Sequence, residues 1–402
     1  MSRGTTTDRH IFNNRAALAG MSLLAISLGG CSDGTASARD AGAAIAPSFP
    51  TPLATSVQTA DGIWATIPMG YLDDPANTFW QLLFRPLGAA SWSNEVEATA
   101  TATNGGLVLA SPGDRRLIVG VRPSADLTYT PLIATDNAAR SWSDGLITSG
   151  LSARPAALAA GGDGQALALV SARDGARVLT TSGDLANWRT LTTQGALGEH
   201  NGAGRSCGLG ALTAVGYLSG QALVGGSCAR PGIVGLFAQA SGAWRLVGPA
   251  LPRSVAHGRV EVMALGTTKG GGLALLGIAA AKGTSLVVVW SAGSRQWSTS
   301  PPLSLVAREK VVSFGPANGA RFFVLLQASS GQDALMVSEG SGAWRQLPRP
   351  PAGTATVAFG ATTVDALVAQ GTVLTVWSLS ADLHGWAKSQ VIHVALQYGS
   401  SS

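Results

Sequence analysis

The stretch Ala176–Trp188 reads ARVLTTSGDLANW: a strand-like run, a small polar turn and a tryptophan. Much the same order of residues recurs along the chain. FWQLLFRPLGAASW ends at Trp92, YTPLIATDNAARSW at Trp142 and IVGLFAQASGAW at Trp244. SLVVVWSAGSRQW ends at Trp297, DALMVSEGSGAW at Trp344 and VLTVWSLSADLHGW at Trp386. The tryptophans follow one another at intervals of 42 to 56 residues. Two further short runs precede the motif in each period, such as GLVLAS and RRLIVGVR before Trp142, or KVVSFG and RFFVLLQA before Trp344. These runs are apolar on both faces and are separated by Gly-rich turns, as expected of strands in sheets that stack on one another.

A period of this length, holding four short strands, is that of one blade of a propeller. The pattern predicts an all-β fold: a seven-bladed β-propeller of four-stranded antiparallel blades over residues 59–402. The tryptophan has a physical reason. A blade has little core of its own, and one indole buries roughly 200 Å², enough to fill the wedge between neighbouring sheets. That role suits the repeated position better than ligand stacking does. The first copy lacks one strand, whereas Trp386 is followed by VIHVALQY, an extra strand at Val391–Tyr398. Pairing of that C-terminal strand with the first blade would close the ring and protect its open edges. The segment around Leu53–Val57 is the alternative partner.

Composition agrees with many strands and tight turns. Charged residues make up 12% of the 402 residues and Gly occurs 52 times, against a usual charged share of roughly 25%. The net charge is +5. Arg3, Arg9 and Arg15 against Asp8 lie in the first thirty residues, so the rest carries a weak excess. Nucleic acid, which asks for a concentrated basic face, is not expected as a partner. The chain is expected to be monomeric.

The N-terminus supplies an address. RAALAGMSLLAISLGGC has a positive lead-in, an apolar stretch too short to span a bilayer, and small residues before Cys31,. Leu28-Gly29-Gly30-Cys31 resembles the lipobox of bacterial lipoproteins. The resemblance implies a signal peptide over 1–30, cleavage before Cys31, and a diacylglycerol with palmitate-like chains on its thiol. A secretory signal with a coincidental Cys is the other reading. Residues 31–58, rich in Ala, Ser, Gly and Pro, read as a flexible tether,. The expected location is extracytoplasmic, on a bacterial membrane held by the lipid. Cys207 and Cys228 flank a hairpin centred on GYLSG. Cross-strand geometry and an oxidising compartment favour a disulfide between them, two separate buried thiols being the alternative.

The hairpin turn resembles a second family feature. TDNAARSW, Thr135–Trp142, aligns with the Asp-box, S-x-D-x-G-x-T-W, of sialidase-like BNR propellers. Asn137 takes the Asp place and Ala139 the Gly place. SGDLANW with Asp184 and SADLHGW with Asp382 are looser versions. The resemblance implies a turn-fixing device on the face away from a catalytic centre. The family's Arg triad and Tyr–Glu pair have no counterparts here. Phe84-Arg85-Pro86 departs from the family's F-R-I-P, so Arg85 takes no role from it.

No metal or cofactor is expected: the chain holds no HExxH, no CxxC, no P-loop and no G-x-S-x-G, and its five His show no metal-ligand spacing,. Asp73-Asp74 reads as a turn, with an acidic pair for glycosidic cleavage as the sharper alternative. The loops from each fourth strand to the next blade carry Arg154, Arg205, Arg253, Arg308 and Arg349, with His200 and His257 nearby. Guanidinium groups around a channel mouth would hold carboxylate or phosphate groups; solvated loop residues are the plainer reading. The expectation is a binding or scaffolding module for a cell-envelope protein or glycan. A glycoside hydrolase or lyase with its site at the channel mouth is the alternative.

Overall fold

A computed structural model of the chain describes residues 49, 52–70, 78–95, 106–121, 129–148, 154–172, 175–268, 271–291, 296–317, 321–338, 343–360, 362–380 and 384–394. The chain divides into Met1–Ala43 and Ala44–Ser402. The signal segment 1–30 and Cys31 lie outside the described residues.

The strands follow one another as antiparallel meanders. β1 (Thr55–Thr59), β2 (Gly62–Gly70), β3 (Thr78–Pro86) and β4 (Ser93–Asn94) form the first sheet. The second holds β5 (Leu107–Ala110), β6 (Leu117–Val121), β7 (Tyr129–Thr135) and β8 (Ser143–Thr148). The third holds β9 (Arg154–Ala160), β10 (Gln165–Ala172), β11 (Gly175–Ser182) and β12 (Arg189–Thr193). Two short helices follow, α1 (Gln194–Gly198) and α2 (Gly202–Cys207), capped at their N-termini by Thr193 and Asn201,.

A nine-stranded sheet comes next. It contains the meander β13 (Leu209–Leu218), β14 (Gln221–Cys228), β15 (Gly235–Ala240) and β16 (Ala243–Leu246). It continues with β17 (Arg259–Thr268), β18 (Gly271–Ala280), β19 (Gly283–Ser291), β20 (Ser298–Thr299) and β21 (Leu303–Ser304). One residue pair, Ser227 with Glu261, joins the two halves. Then come β22 (Lys310–Ala317), β23 (Arg321–Gln327), β24 (Asp333–Ser338) and β25 (Trp344–Gln346). The last sheet is β26 (Thr354–Phe359), β27 (Val364–Gln370), β28 (Val373–Leu379) and β29 (Trp386–His393).

Each repeated tryptophan stands within one residue of the start of a fourth strand. Each packs in a cluster shared by its own meander and the one before it. Trp188 packs against Leu132 and Ile147 of the second sheet together with Leu158 and Leu179 of its own. Trp244 joins Leu167 and Val178 to Val224 and Phe237. Trp344 joins Leu275 and Val288 to Phe322 and Val324. Trp92 completes the series, packing with Ile63 and Leu83 against Leu367 and Leu374 of the last sheet. Each indole, half-buried or, for Trp92, buried, contributes on the order of 2–3 kcal/mol of burial. The sheets are therefore held face to face by one repeated contact, and their first strands look inward. This is the arrangement of a β-propeller.

Two expected boundaries change. Thr55–Thr59, assigned to the tether 31–58, forms β1 and pairs with Gly62–Thr66. Its signal was weak because TSVQT is polar and alternates in burial. The described part of the expected C-terminal strand does not pair with the first sheet. Val391–His393 belong to β29 and pair with Val373–Thr375 inside the last sheet. The stretch 395–398 lies outside the described residues. The first sheet thus takes its strand from the Leu53–Val57 side, the alternative noted above.

Cys207 and Cys228 form a disulfide with a Cα–Cα separation of 5.2 Å, tying α2 to the end of β14. The tight turns use side chains as the sequence implied. Asn137 Oδ1 accepts from Ser141 N at 3.0 Å, and Thr135 Oγ1 accepts from Ala139 N at 3.2 Å. Ala139, in the place where the Asp-box has Gly, has φ of 65° and Ala138 has 59°. A left-handed conformation there is costly for any residue with a Cβ, which is why those hydrogen bonds matter. Asp184 accepts from Asn187 N and Ala186 N at 2.8 and 3.2 Å. The Asn187 amide and backbone N–H hold its carboxyl below the ordinary value.

The first and last sheets meet through a polar latch as well as apolar packing. Asp365 Oδ2 accepts from Arg85 Nη1 and, at 2.8 Å, from Trp92 Nε1. Asp365 Oδ1 accepts from Ser378 Oγ at 2.8 Å, and Arg85 Nη2 donates to Thr363 Oγ1 at 2.7 Å. The guanidinium lies 5.4 Å from the centroid of the Trp92 ring,. Gln390 bridges the Trp92 N–H and C=O at 2.8 and 2.9 Å, and Gly70 N donates to Gly371 O at 2.9 Å. Asp365→Ala leaves a buried guanidinium without its counter-charge. It should lower the unfolding free energy by about 3–5 kcal/mol, measured by urea denaturation. Arg85→Met with Asp365→Leu should recover most of that loss. A double variant as unstable as the single would contradict this account of the latch.

Candidate binding site

The inner strands enclose a central cavity of about 750 Å³. Its wall is built from one strand of each of several meanders. β5 gives Leu107 and Leu109, β9 gives Ala156–Ala160, and β13 gives Leu212 and Val215. β17 gives Met263 and Leu265, and β22 gives Phe314. Such residues sit inside because both faces of an inner strand are covered, one by the neighbouring sheets and one by the cavity. Thr55, Gln58 and Thr213 add hydroxyl and amide groups to the wall.

Among the described residues of the wall, Glu261 is the ionisable side chain. It is 8% exposed. Its Oε1 accepts from Phe49 N at 3.4 Å, and its Oε2 has no hydrogen-bond partner among the described residues. Burial pushes its carboxyl up to about 7 from the ordinary 4.5,. Phe49 is set by the opposite strand. Glu261 pairs with Gly277 across β17 and β18, and a Cβ on Gly277 would stand 2.2 Å from the Phe49 ring. The missing side chain is the space that the ring fills.

The two ends of the cavity differ. At the end where β1 begins, the chain is pinned to three other sheets. Phe49 N donates to Glu261, Ala54 O accepts from Ser313 Oγ at 3.0 Å, and Ser56 Oγ donates to Val357 O at 2.8 Å. At the other end Leu87 lines the cavity yet is 64% exposed.

Of the expected arginine cluster, the described side chains are exposed. Arg205 is exposed on α2 and donates to Glu199 O at 2.9 Å. Arg253 is exposed at the start of the turn Arg253–Val255, whose Val255 is buried, and His257 is exposed just after it. Arg308 is exposed with φ of 71°. His200 and Arg349 are exposed too. Arg154 begins β9, and its side chain lies outside the described residues. No ion pair or hydrogen bond joins Arg205, Arg253, His257 and Arg308 to one another, and none of them lines the cavity. Asp73 and Asp74 lie outside the described residues. No group of three or more His, Cys, Asp or Glu with metal-holding geometry occurs among the described residues.

No protein-family model matches the sequence, and no curated protein does. Solved structures resemble it in fold. A putative 6-phosphogluconolactonase from Bacteroides uniformis ATCC 8492 is 11% identical with a TM-score of 0.50, over 83% of this chain and 97% of that one. The β-propeller domain of the trilobed protease from Pyrococcus furiosus is 8% identical with a TM-score of 0.48, over 85% and 97%. YCF48 bound to D1 peptide is 14% identical with a TM-score of 0.42, over 89% and 100%. The likeness is one of fold.

Glu261 gives a pH test. Its folded-state value lies above its unfolded one, so the fold favours the protonated acid. Stability is then greatest below pH 4.5, falls as the pH rises to about 7, and levels off above,. The loss should be roughly 1–2 kcal/mol after allowing for solvent screening through the cavity. Glu261→Gln should remove the slope, so its advantage over the parent widens from acid to neutral pH in denaturation curves. Parallel curves would contradict the assignment.

Proposed function

We propose that the chain is an extracytoplasmic binding propeller: a closed ring of seven blades, tethered by a lipid on Cys31, that receives the apolar part of a cell-envelope protein in its central cavity. The observation that carries the reading is the wall of the cavity. Residues of apolar strands line a space of about 750 Å³, with half-buried Met263 and Leu265 among them, and apolar surface there gains little from water and more from an apolar guest. Exposed Leu87 on the cavity lining is suited to a protein partner's rim contact. A glycosidase asks for two carboxyl groups across its cleft, and the described wall offers Glu261 alone. The seven clustered tryptophans and the latch between first and last sheets support closure of the ring.

The cavity and the anchor are tested separately. Ala156 is exposed and lines the cavity, so Ala156→Trp should fill the space without unfolding the sheet. Binding of the apolar fluorophore N-phenyl-1-naphthylamine should weaken by about tenfold or more with an unchanged melting temperature. A photo-crosslinking phenylalanine analogue at Leu87, in cells, should give an adduct with an envelope protein that the Ala156→Trp background loses. Equal adducts in both backgrounds would place the partner elsewhere. Two acyl chains hold a protein on a bilayer, each buried CH₂ adding about 0.8 kcal/mol. Cys31→Ser should therefore move the protein from the membrane fraction to the supernatant, and retention in the membrane would refute the anchor.

A further inference from the structure

Just before β1, the chain lodges one aromatic ring in the wedge between two other meanders. Phe49 packs against a cluster that holds Leu275 and Val288 of the β17–β20 meander and Val311 and Phe314 of β22. The wedge admits the ring because Gly277 has no side chain. The three nearest atoms to a Cβ placed there all belong to the Phe49 ring, at 2.2, 2.4 and 2.6 Å. Glu261 stands opposite Gly277 in the pairing of β17 with β18. Its Oε1 accepts from Phe49 N at 3.4 Å, and its Oε2 has no hydrogen-bond partner among the described residues. Phe49 and Glu261 both line the central cavity, so the notch is a side pocket of it.

The pair Glu261–Gly277 departs from its counterparts. First and second strands pair with a bulge at the same place in several meanders: after Pro155 in β9, Leu212 in β13, Val262 in β17 and Val311 in β22. One rung before that bulge, the other three pair Arg154 with Ser171, Ala211 with Ser227 and Lys310 with Gln327. Those sheets form with a side chain where β18 has glycine and without an acid opposite it. A glycine inside a strand weakens the strand, and it marks a place where another group comes close. A buried carboxyl costs desolvation unless a donor meets it. Both costs fall on one rung of one sheet, and one kind of residue offsets both: a ring for the gap, with an N–H beside it for the acid.

We propose that this notch is a subsite for one aromatic side chain of an extended peptide, and that Phe49 holds it in the resting chain as an internal ligand. The proposal rests on the reading of the central cavity as a guest site and names what the guest presents there. A ring fills the gap at Gly277, a backbone N–H meets Glu261 Oε1, and Oε2 takes a second donor. Phe49 is the one aromatic residue of 31–58 and lies in the run Pro47-Ser48-Phe49-Pro50. A residue before proline favours extended backbone, which lowers the ordering cost of binding such a segment. As part of the chain, Phe49 competes at an effective concentration in roughly the millimolar range. A guest therefore displaces it, and the fraction of chains with the notch open scales the guest's apparent affinity.

The probe is the tetrapeptide of residues 47–50, acetylated and amidated, titrated into the full chain and followed by calorimetry. Phe49→Ala empties the notch. The peptide should bind that variant about tenfold or more tightly than it binds the parent, and should raise the variant's melting temperature. The same peptide with its Phe replaced by Ala should do neither. Gly277→Leu, added to Phe49→Ala, fills the gap and should abolish binding. Phe49→Leu keeps an apolar side chain before β1; it should show the same gain and serves where Phe49→Ala does not fold. The proposal fails if the peptide binds neither variant up to about 5 mM, if it binds parent and variant alike, or if binding survives Gly277→Leu. N-phenyl-1-naphthylamine binding to the parent reports on the cavity separately. Dye bound without peptide overturns the subsite alone. Peptide bound without dye upholds the subsite and overturns the cavity as a site for apolar guests.

Discussion

The contact between the first and last sheets is the constraint on which the rest depends. Every other pair of successive meanders is joined by the chain itself. Here no peptide link helps, and side chains, with one backbone hydrogen bond from Gly70 to Gly371, do the work. The apolar part, Ile63 and Leu83 against Leu367 and Leu374, is made of the same residue types as the other interfaces. Arg85 and Asp365 are what differ. Of the ion pairs between described residues, this is the one with both partners buried. A buried pair is a weak source of stability, because desolvation offsets the attraction. Its remaining hydrogen-bonding capacity is met by Thr363, Trp92 and Ser378. In a chain of near-identical sheets such a pair discriminates: a sheet docked in the wrong place would bury Arg85 against carbon. Wrong docking of like units is a characteristic failure of repeat proteins, and a polar mark at the seam penalises it.

Much of this architecture was legible in the sequence because it rests on one large side chain at a fixed place in a repeated hairpin. Trp188, Trp244 and Trp344 each bind their own meander to the preceding one, and that geometry imposes the spacing. The ends were less legible. β1 has no run of apolar residues, and its place is fixed by Ser56 bonding to Val357 and by Ser313 bonding to Ala54. Those partners lie far away in the chain, and no local pattern announces them. At the other end, β29 has 8 residues where β4 and β20 have 2. A fourth strand that continues past the usual length reads as two strands.

The candidate sites were less visible still. Exposed arginines are conspicuous in a chain with few charges, yet Arg205, Arg253 and Arg308 stand apart from the cavity. The cavity wall is made of residues that look like ordinary core, because an inner strand has the same composition whether it faces a neighbour or a space. Glu261 was the available signal: one acid within the apolar run VEVMAL. Arg85 has no legible role in the sequence, because its partner Asp365 is 280 positions away.

The pinned segment before β1 makes the two mouths of the cavity unequal. Three hydrogen bonds tie Phe49, Ala54 and Ser56 to β17, β22 and β26, and the Phe49 ring fills the notch at Gly277. A guest entering at that end must break those bonds and empty the notch before it reaches the wall. A guest entering past Leu87 meets neither obstacle. The bond to Glu261 is also the weakest of the three, at 3.4 Å, and its acceptor is the acid that burial holds near neutrality. Ionisation of Glu261 strengthens that bond and tightens the closed end, since a charged acceptor makes the stronger hydrogen bond. Access to the cavity is therefore directed by the same few residues that complete the first sheet.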